Sequence, residues 1–220
     1  VQGPRALELL NKLTDHNIFD IERFAAAHVS LVDVPMVIGR TGYTGEDGVE
    51  LYFGDEHARR VWNALLDAGV EHDIETAPIG LAARDSLRFE PGFALYGHEI
   101  SDDINPLEAR LAWAIDFDKD FVGKEALERI KAEGVERKLV TFVLLDKGVP
   151  RKGYPVLNAE GENIGEVVTG MYAPTADVYA GNALVDARYA ATDTPIHIEI
   201  RNKPKAARVV QRPLYRPAYR

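Results

Sequence analysis

The chain of 220 residues carries 26 Lys and Arg against 35 Asp and Glu, a formal charge of −9. That balance speaks against broad binding to a phosphate backbone, which needs clustered positive charge. Cysteine is absent, so disulfides, thiolate metal sites, iron–sulfur clusters and a cysteine nucleophile are excluded.

At this length roughly 70% of the unfolded surface is buried on folding, enough for a core without a metal or disulfide. No apolar run approaches the roughly 20 residues of a membrane span, and no signal-peptide pattern opens the chain. The first residue is Val1 rather than Met, directly before a helix-like segment; the expectation is a chain that begins partway into a longer product.

Pro4–Leu13 puts Leu7, Leu10 and Leu13 at helical spacing with Pro in the first turn. Val29–Ile38 is apolar and β-branched and reads as one strand. Gly39–Gly48 (GRTGYTGEDG) is the densest glycine cluster, and Val49–Phe53 reads as a second strand. Glycines between two strands mark either a backbone that approaches something closely or a plain hairpin. Asp55 is expected to cap a helix with Val61, Trp62, Leu65 and Leu66 on one side, ending near Gly69. Pro78 opens another helix through Leu81, Leu87 and Phe89, stopped by Pro91-Gly92. Gly123–Glu133 reads as a solvated amphipathic helix. Beyond Val135 the texture changes to short β-rich runs: 138–145, 154–157, 163–168, 179–184, 196–200 and 207–210. That spacing predicts a small β-barrel or sandwich. The expected organisation is therefore α+β, with a first domain over 1–136 and a β-barrel domain over 137–220.

Several segments could carry chemistry. Arg40–Glu50 (RTGYTGEDGVE) presents Tyr43, Glu46, Asp47 and Glu50 around three glycines. A carboxylate beside an aromatic ring suits a flat nitrogen heterocycle: the acid accepts two N–H bonds from a guanidine-like edge and the ring packs on the face. A tight hairpin with solvated acids accounts for the same letters. Arg84 and Arg88 are four apart on a helix and share a face, with Asp85 pointing elsewhere; an inward Arg would pair with Glu50 or an anionic ligand, and a solvated pair is the alternative. His98 and Glu99, followed by Asp102 and Asp103, match no metal-ligand spacing, and a loop with a hydrogen-bonded His is the plainer reading. Trp113 lies in an apolar run typical of core. Arg151 falls in a turn between β-runs, and the basic, aromatic tail 212–220 reads as a packed or frayed terminus. No Walker loop and no G-x-G-x-x-G between strand and helix is present, so nucleotide cofactors have no direct support.

Taken together, Val1-Gln-Gly-Pro4, RTGYTGEDGVE (40–50), GLAARDSLR (80–88), LYG (95–97), NPLE (105–108), DFVGKEAL (120–127) and GVPR (148–151) resemble the glycine cleavage system T-protein, or aminomethyltransferase, family. The resemblance covers nearly the whole chain. It implies a folate-binding aminomethyltransferase core, here incomplete, followed by a small C-terminal β-barrel. It implies tetrahydrofolate as cofactor and a lipoylated H protein as partner. The implied reaction moves a one-carbon unit from the aminomethylated lipoyl arm to tetrahydrofolate, giving 5,10-methylenetetrahydrofolate, ammonia and the reduced arm.

By the same resemblance Tyr43 and Glu50 contact the pterin and Arg84 lies beside the folate. Arg151 turns toward the cavity mouth, and Trp113 occupies an aromatic position near folate. The physical expectation is that Glu50 and Arg84 converge on a hollow fit for a flat two-ring guest. No residue here matches the family's N-terminal aspartate beside the reactive folate nitrogen, so the catalytic residue is unassigned and a chain with little or no activity by itself is expected. No metal, nucleic acid or membrane is implied. The setting is cytoplasmic, or the mitochondrial matrix in a eukaryote. A folate-dependent demethylase of the same fold and a non-catalytic folate-binding fragment stay open as alternatives.

Overall fold

In the computed structural model, which describes residues 1–219, the apolar run expected as one strand is a hairpin. Strands β1 (Ala26–Leu31) and β2 (Val34–Gly39) pair antiparallel with Leu31 opposite Val34. The two residues between them, Val32 and Asp33, both have positive φ, 47° and 58°, the geometry of the turn that matches strand twist. Asp tolerates that region and Val ordinarily does not, so the turn hides inside a β-branched run. The Val32 amide donates to Leu13 O at 2.9 Å, which holds the turn against the end of the first helical segment.

That segment, α1 (Ala6–Leu10), is shorter than expected and buries Leu7, Leu9 and Leu10. Strand β3 (Glu50–Tyr52) completes a three-stranded sheet in the order β1-β2-β3, with Glu50 opposite Gly39. Alternate residues Val34, Met36 and Ile38 face inward with Val29 and Leu31, and Leu7, Leu10 and Val61 pack on them, the period-two pattern of a half-buried sheet.

Helix α2 (Ala58–Glu71) follows a 3-10 turn, Asp55–His57. Asp55 sits inside that turn and its side chain caps nothing; Gly54 holds the cap position. Helix α3 (Leu81–Phe89) starts after Gly80, with Pro78 outside it, and buries Phe89.

Helix α4 (Lys124–Glu133) has no buried residue. Six strands then close into a barrel: β4 (Arg137–Leu144), β5 (Pro155–Leu157), β6 (Asn163–Ala173), β7 (Val178–Asp186), β8 (Pro195–Ile200) and β9 (Lys203–Val210), in the order β4-β7-β6-β5-β8-β9. Each of the six β-rich runs of the sequence is one of these strands. β6 runs longer than expected because Gly170 pairs with Gly181 within the ladder instead of ending it. A Cβ at Gly181 would lie 2.5 Å from the Phe142 ring; glycine there leaves room for a fully buried aromatic at the barrel centre.

The chain divides into two compact units, Val1–Pro91 with the C-terminal residues from Arg216 onward, and Gly92–Tyr215. The sequence texture changes near 136, but residues 92–136 fasten to the barrel and go with it. Arg137 Nε donates to Glu108 Oε1 at 2.9 Å, and Leu139 N to Glu108 O at 2.8 Å. Deeper, Thr141 donates its hydroxyl to Asn182 Oδ1 and the Asn182 amide donates to Glu99 Oε1, both at 2.8 Å. Leu95 N donates to Glu99 Oε2 at 3.0 Å. All three side chains of this chain are buried.

Asn182→Ala would take the acceptor from the buried Thr141 hydroxyl and one donor from the buried Glu99 carboxylate. It is expected to destabilise the barrel unit by about 2–3 kcal/mol, read as a lower urea midpoint of the barrel transition. At the end of β7, hydrogen bonds from the Arg188 side chain and then from its backbone amide hold the Asp186 carboxyl at about 2. The folded value lies below the ordinary one, so the favourable interaction is complete above the usual aspartate range and fades as pH falls toward 2. Arg188→Leu is expected to return Asp186 toward ordinary carboxylate values, checked by carbon-detected NMR titration.

Candidate functional site

The loop 40–49, between β2 and β3, is built around the side chain of Gln2. Gln2 Nε2 donates to Thr41 O at 3.1 Å and to Val49 O at 3.0 Å, and Thr44 Oγ1 lies 3.4 Å from Gln2 Oε1. A Cβ at Gly42 would meet Gln2 Oε1 at 2.0 Å, and one at Gly48 would meet Val1 O at 2.5 Å. These glycines are steric requirements of a packed loop. Gly45 has φ +78° and sets its α-carbon against Pro91. The sequence named VQGP only through its resemblance; nothing in the spacing gave Gln2 its role.

The loop's polar side chains have separate jobs. Arg40 Nη2 pairs with Asp47 Oδ2 at 2.8 Å, and its Nη1 donates to Ile21 O at 2.7 Å. Asp47 Oδ1 also accepts from Gly48 N at 3.1 Å. Asp47 therefore closes the base of the loop, and Glu46 takes the hydroxyl of Tyr219. Glu50 differs. It is exposed and accepts the Thr41 hydroxyl; no side-chain cation pairs with it among the described residues, and the Val1 ammonium lies near enough for the two charges to attract. A carboxylate has about four lone-pair sites, so most of its accepting capacity is uncommitted.

Arg84, in the first turn of α3, lies with its guanidinium carbon 4.8 Å from the centroid of the Tyr43 ring. A cation over an aromatic face at this range is attracted by the ring quadrupole, worth about 0.5–1 kcal/mol when exposed. The glycine loop and the AARD helix thus meet through Tyr43 and Arg84. Arg88 does not share Arg84's environment: it is 0% exposed, and its Nε donates to Asp85 Oδ1 at 2.7 Å. Asp85, expected to point elsewhere, is that partner.

Trp113 and Arg151 belong to the other unit. Trp113 lies in a 3-10 turn, Ala112–Ala114, and is 82% exposed; the run around it is not core. Arg151 is exposed, and its carbonyl closes a turn with Tyr154 N at 3.2 Å. His98 Nδ1 lies 3.0 Å from Val168 O and 3.2 Å from Thr169 Oγ1. Two surface hollows are lined by residues from His16 to Val29 and from Asp120 to Glu128, and neither includes any of the five candidate ligand residues. Among the described residues no cluster of potential metal ligands is present and no helix is long and apolar enough to cross a membrane.

Two families match the chain: the GCVT N-terminal domain over residues 1–119 and the glycine cleavage T-protein C-terminal barrel domain over 137–216. Proteins named aminomethyltransferase are similar throughout. One from Caldanaerobacter subterraneus subsp. tengcongensis is 45% identical over 222 residues, covering all of this chain and 59% of that protein. One from Symbiobacterium thermophilum is 47% identical over 225 residues with the same coverage. The crystal structure of the glycine cleavage system aminomethyltransferase T from Bartonella henselae superposes with a TM-score of 0.87 at 30% identity, over 97% of this chain and 58% of that one. The chain therefore spans about 59% of the length of the curated relatives it matches.

Gly45→Ala would place a Cβ 2.7 Å from Pro91 Cβ in a left-handed backbone. A loss of about 1–3 kcal/mol is expected, measured by chemical denaturation of the first unit.

Proposed function

Because this chain belongs to the glycine cleavage T-protein family, we propose that it carries folate-contacting parts of a tetrahydrofolate-dependent aminomethyltransferase. The observation that carries the reading is the Tyr43–Arg84 stack, which joins the two motifs, the first of which ends in the exposed Glu50 carboxylate. The residues fit the cofactor's chemistry. A pterin edge offers adjacent N–H donors, which Glu50 can accept. A ring face and a guanidinium, Tyr43 and Arg84, suit a flat heterocycle carrying an anionic tail. When bound, tetrahydrofolate supplies the nitrogen that accepts the one-carbon unit.

Glu50 then fixes the rotation of the heterocycle in its plane, and Tyr43 and Arg84 fix that plane. What these groups contribute to rate is orientation. Arg151 is assigned to the anionic tail and Trp113 to an aromatic contact. The donor is assigned as the aminomethylated lipoyl arm of an H protein, and the setting as cytoplasmic, in keeping with the bacterial relatives.

Isothermal titration of the chain with tetrahydrofolate tests the reading. Glu50→Gln is expected to weaken binding by about tenfold or more, a charged hydrogen bond being worth about 1.5–3 kcal/mol. Arg84→Leu is expected to cost about two- to fivefold, the range of an exposed cation–π contact. A wild-type chain that binds no folate, or a folded Glu50→Gln chain that binds it equally well, would refute the assignment. A transfer assay with aminomethylated H protein, run beside it, is expected to give little turnover from this chain alone; robust turnover would overturn that expectation.

A further inference from the structure

The tail beyond Arg216 belongs to the first unit, and within it Pro217 is buried. Two residues on, the Tyr219 hydroxyl accepts from Asp47 N at 2.9 Å and donates to the Glu46 carboxylate. One phenol therefore uses both its donor and its acceptor on consecutive residues of the glycine loop, 172 positions away in sequence from Asp47. The base of the loop is already held by Arg40 and Gln2. Arg40 also holds the Asp47 carboxylate, Gly3 N donates to Asp47 O at 2.9 Å and Glu46 N donates to Thr44 Oγ1 at 3.3 Å; Tyr219 adds bonds to the Glu46 carboxylate and the Asp47 amide, three and four positions on from Tyr43.

We propose that Tyr219 is a positioning residue, whose hydroxyl clasps the tip of the loop and thereby sets the Tyr43 ring under the Arg84 guanidinium. Without the clasp the segment that follows Tyr43 loses two of its bonds, and a ligand then bears more of the cost of ordering the ring. With the clasp made, the ring is held before any ligand arrives. The clasp itself rests on geometry in the free protein; only its effect on ligand affinity rests on the folate reading.

Tyr219→Phe in the whole chain removes the hydroxyl and keeps the ring. Three readouts decide. Amide hydrogen exchange at Asp47 is expected to accelerate by about tenfold or more, as expected for a lost hydrogen bond of about 1.5 kcal/mol, with barrel amides unchanged. The ring-current shift of the Arg84 side-chain protons is expected to move toward random-coil values while the unfolding temperature stays put. Tetrahydrofolate affinity is expected to fall severalfold, and in a Glu46→Gln background the same substitution should cost less, as coupled partners do.

Unchanged Asp47 exchange, or an unchanged Arg84 shift, overturns the clasp whatever the chain does with folate. Altered exchange and shift in a chain that binds no folate would refute the folate reading and leave the clasp standing. Altered exchange and shift with folate affinity unchanged would refute the effect on affinity.

Discussion

The first unit's candidate site depends on a carboxamide in the wrong place for chemistry and the right place for structure. Gln2 donates to carbonyls at both ends of the glycine loop, Thr41 and Val49, and fills the volume that side chains at Gly42 and Gly48 would need. With that space taken, the loop cannot relax into an open hairpin. Arg40 then locks Asp47 from the opposite flank. Of the remaining side chains of the motif, the half-buried Tyr43 ring meets Arg84 and the Glu50 carboxylate is exposed. The glycines of this loop thus serve close packing, and the loop's stiffness follows from them, the reverse of what glycine density suggests when read as flexibility.

The barrel unit is organised by a different constraint. Its ring closes through β4 pairing with β9, which leaves no free edge for other chains to add to. Closure needs irregularity, and one shift in register falls between Val167 and Thr169. A bulge leaves its extra residue outside the ladder, and the carbonyl at Val168 is met by His98. Beside it, the buried Glu99 reaches into the strands through Asn182 and Thr141. An unpaired carboxylate there would be severely unfavourable, so the segment from Gly92 to Glu136 is tied to the barrel by hydrogen bonds it cannot give up.

The sequence made the barrel readable, because alternation and turn residues are local signals and every β-rich run is a strand. It concealed the first hairpin, because a two-residue left-handed turn at Val32-Asp33 breaks no apolar pattern. The capping role expected of Asp55 failed because a 3-10 turn inserts before α2, and only coordinates decide which of two competing turns forms. At the site, spacing offered four polar or aromatic side chains in one loop and could not rank them. Their division of labour comes from partners remote in sequence: Arg40 for Asp47 within the loop, but Tyr219 for Glu46 and α3 for Tyr43. Trp113 was legible as an aromatic in an apolar run and illegible as an exposed one, since exposure there depends on what packs on the segment and not on the segment's own pattern.

Arg84 and Arg88 show how one helix turn separates two identical side chains. Four residues apart, they lie on one stripe of α3 by periodicity alone. Yet α3 dips into the core at its C-terminal end, where Phe89 is buried, so Arg88 is fully buried and Arg84 exposed. A buried guanidinium must be paired, and Asp85, one turn back, supplies a partner at 2.7 Å. That pairing takes the helix's one nearby acid away from Arg84. Arg84 is left with the Tyr43 face, a partner that neutralises none of its charge. The burial of Arg88 therefore draws Asp85 to itself and leaves Arg84 on the Tyr43 ring, so the two arginines of the AARDSLR segment have different partners.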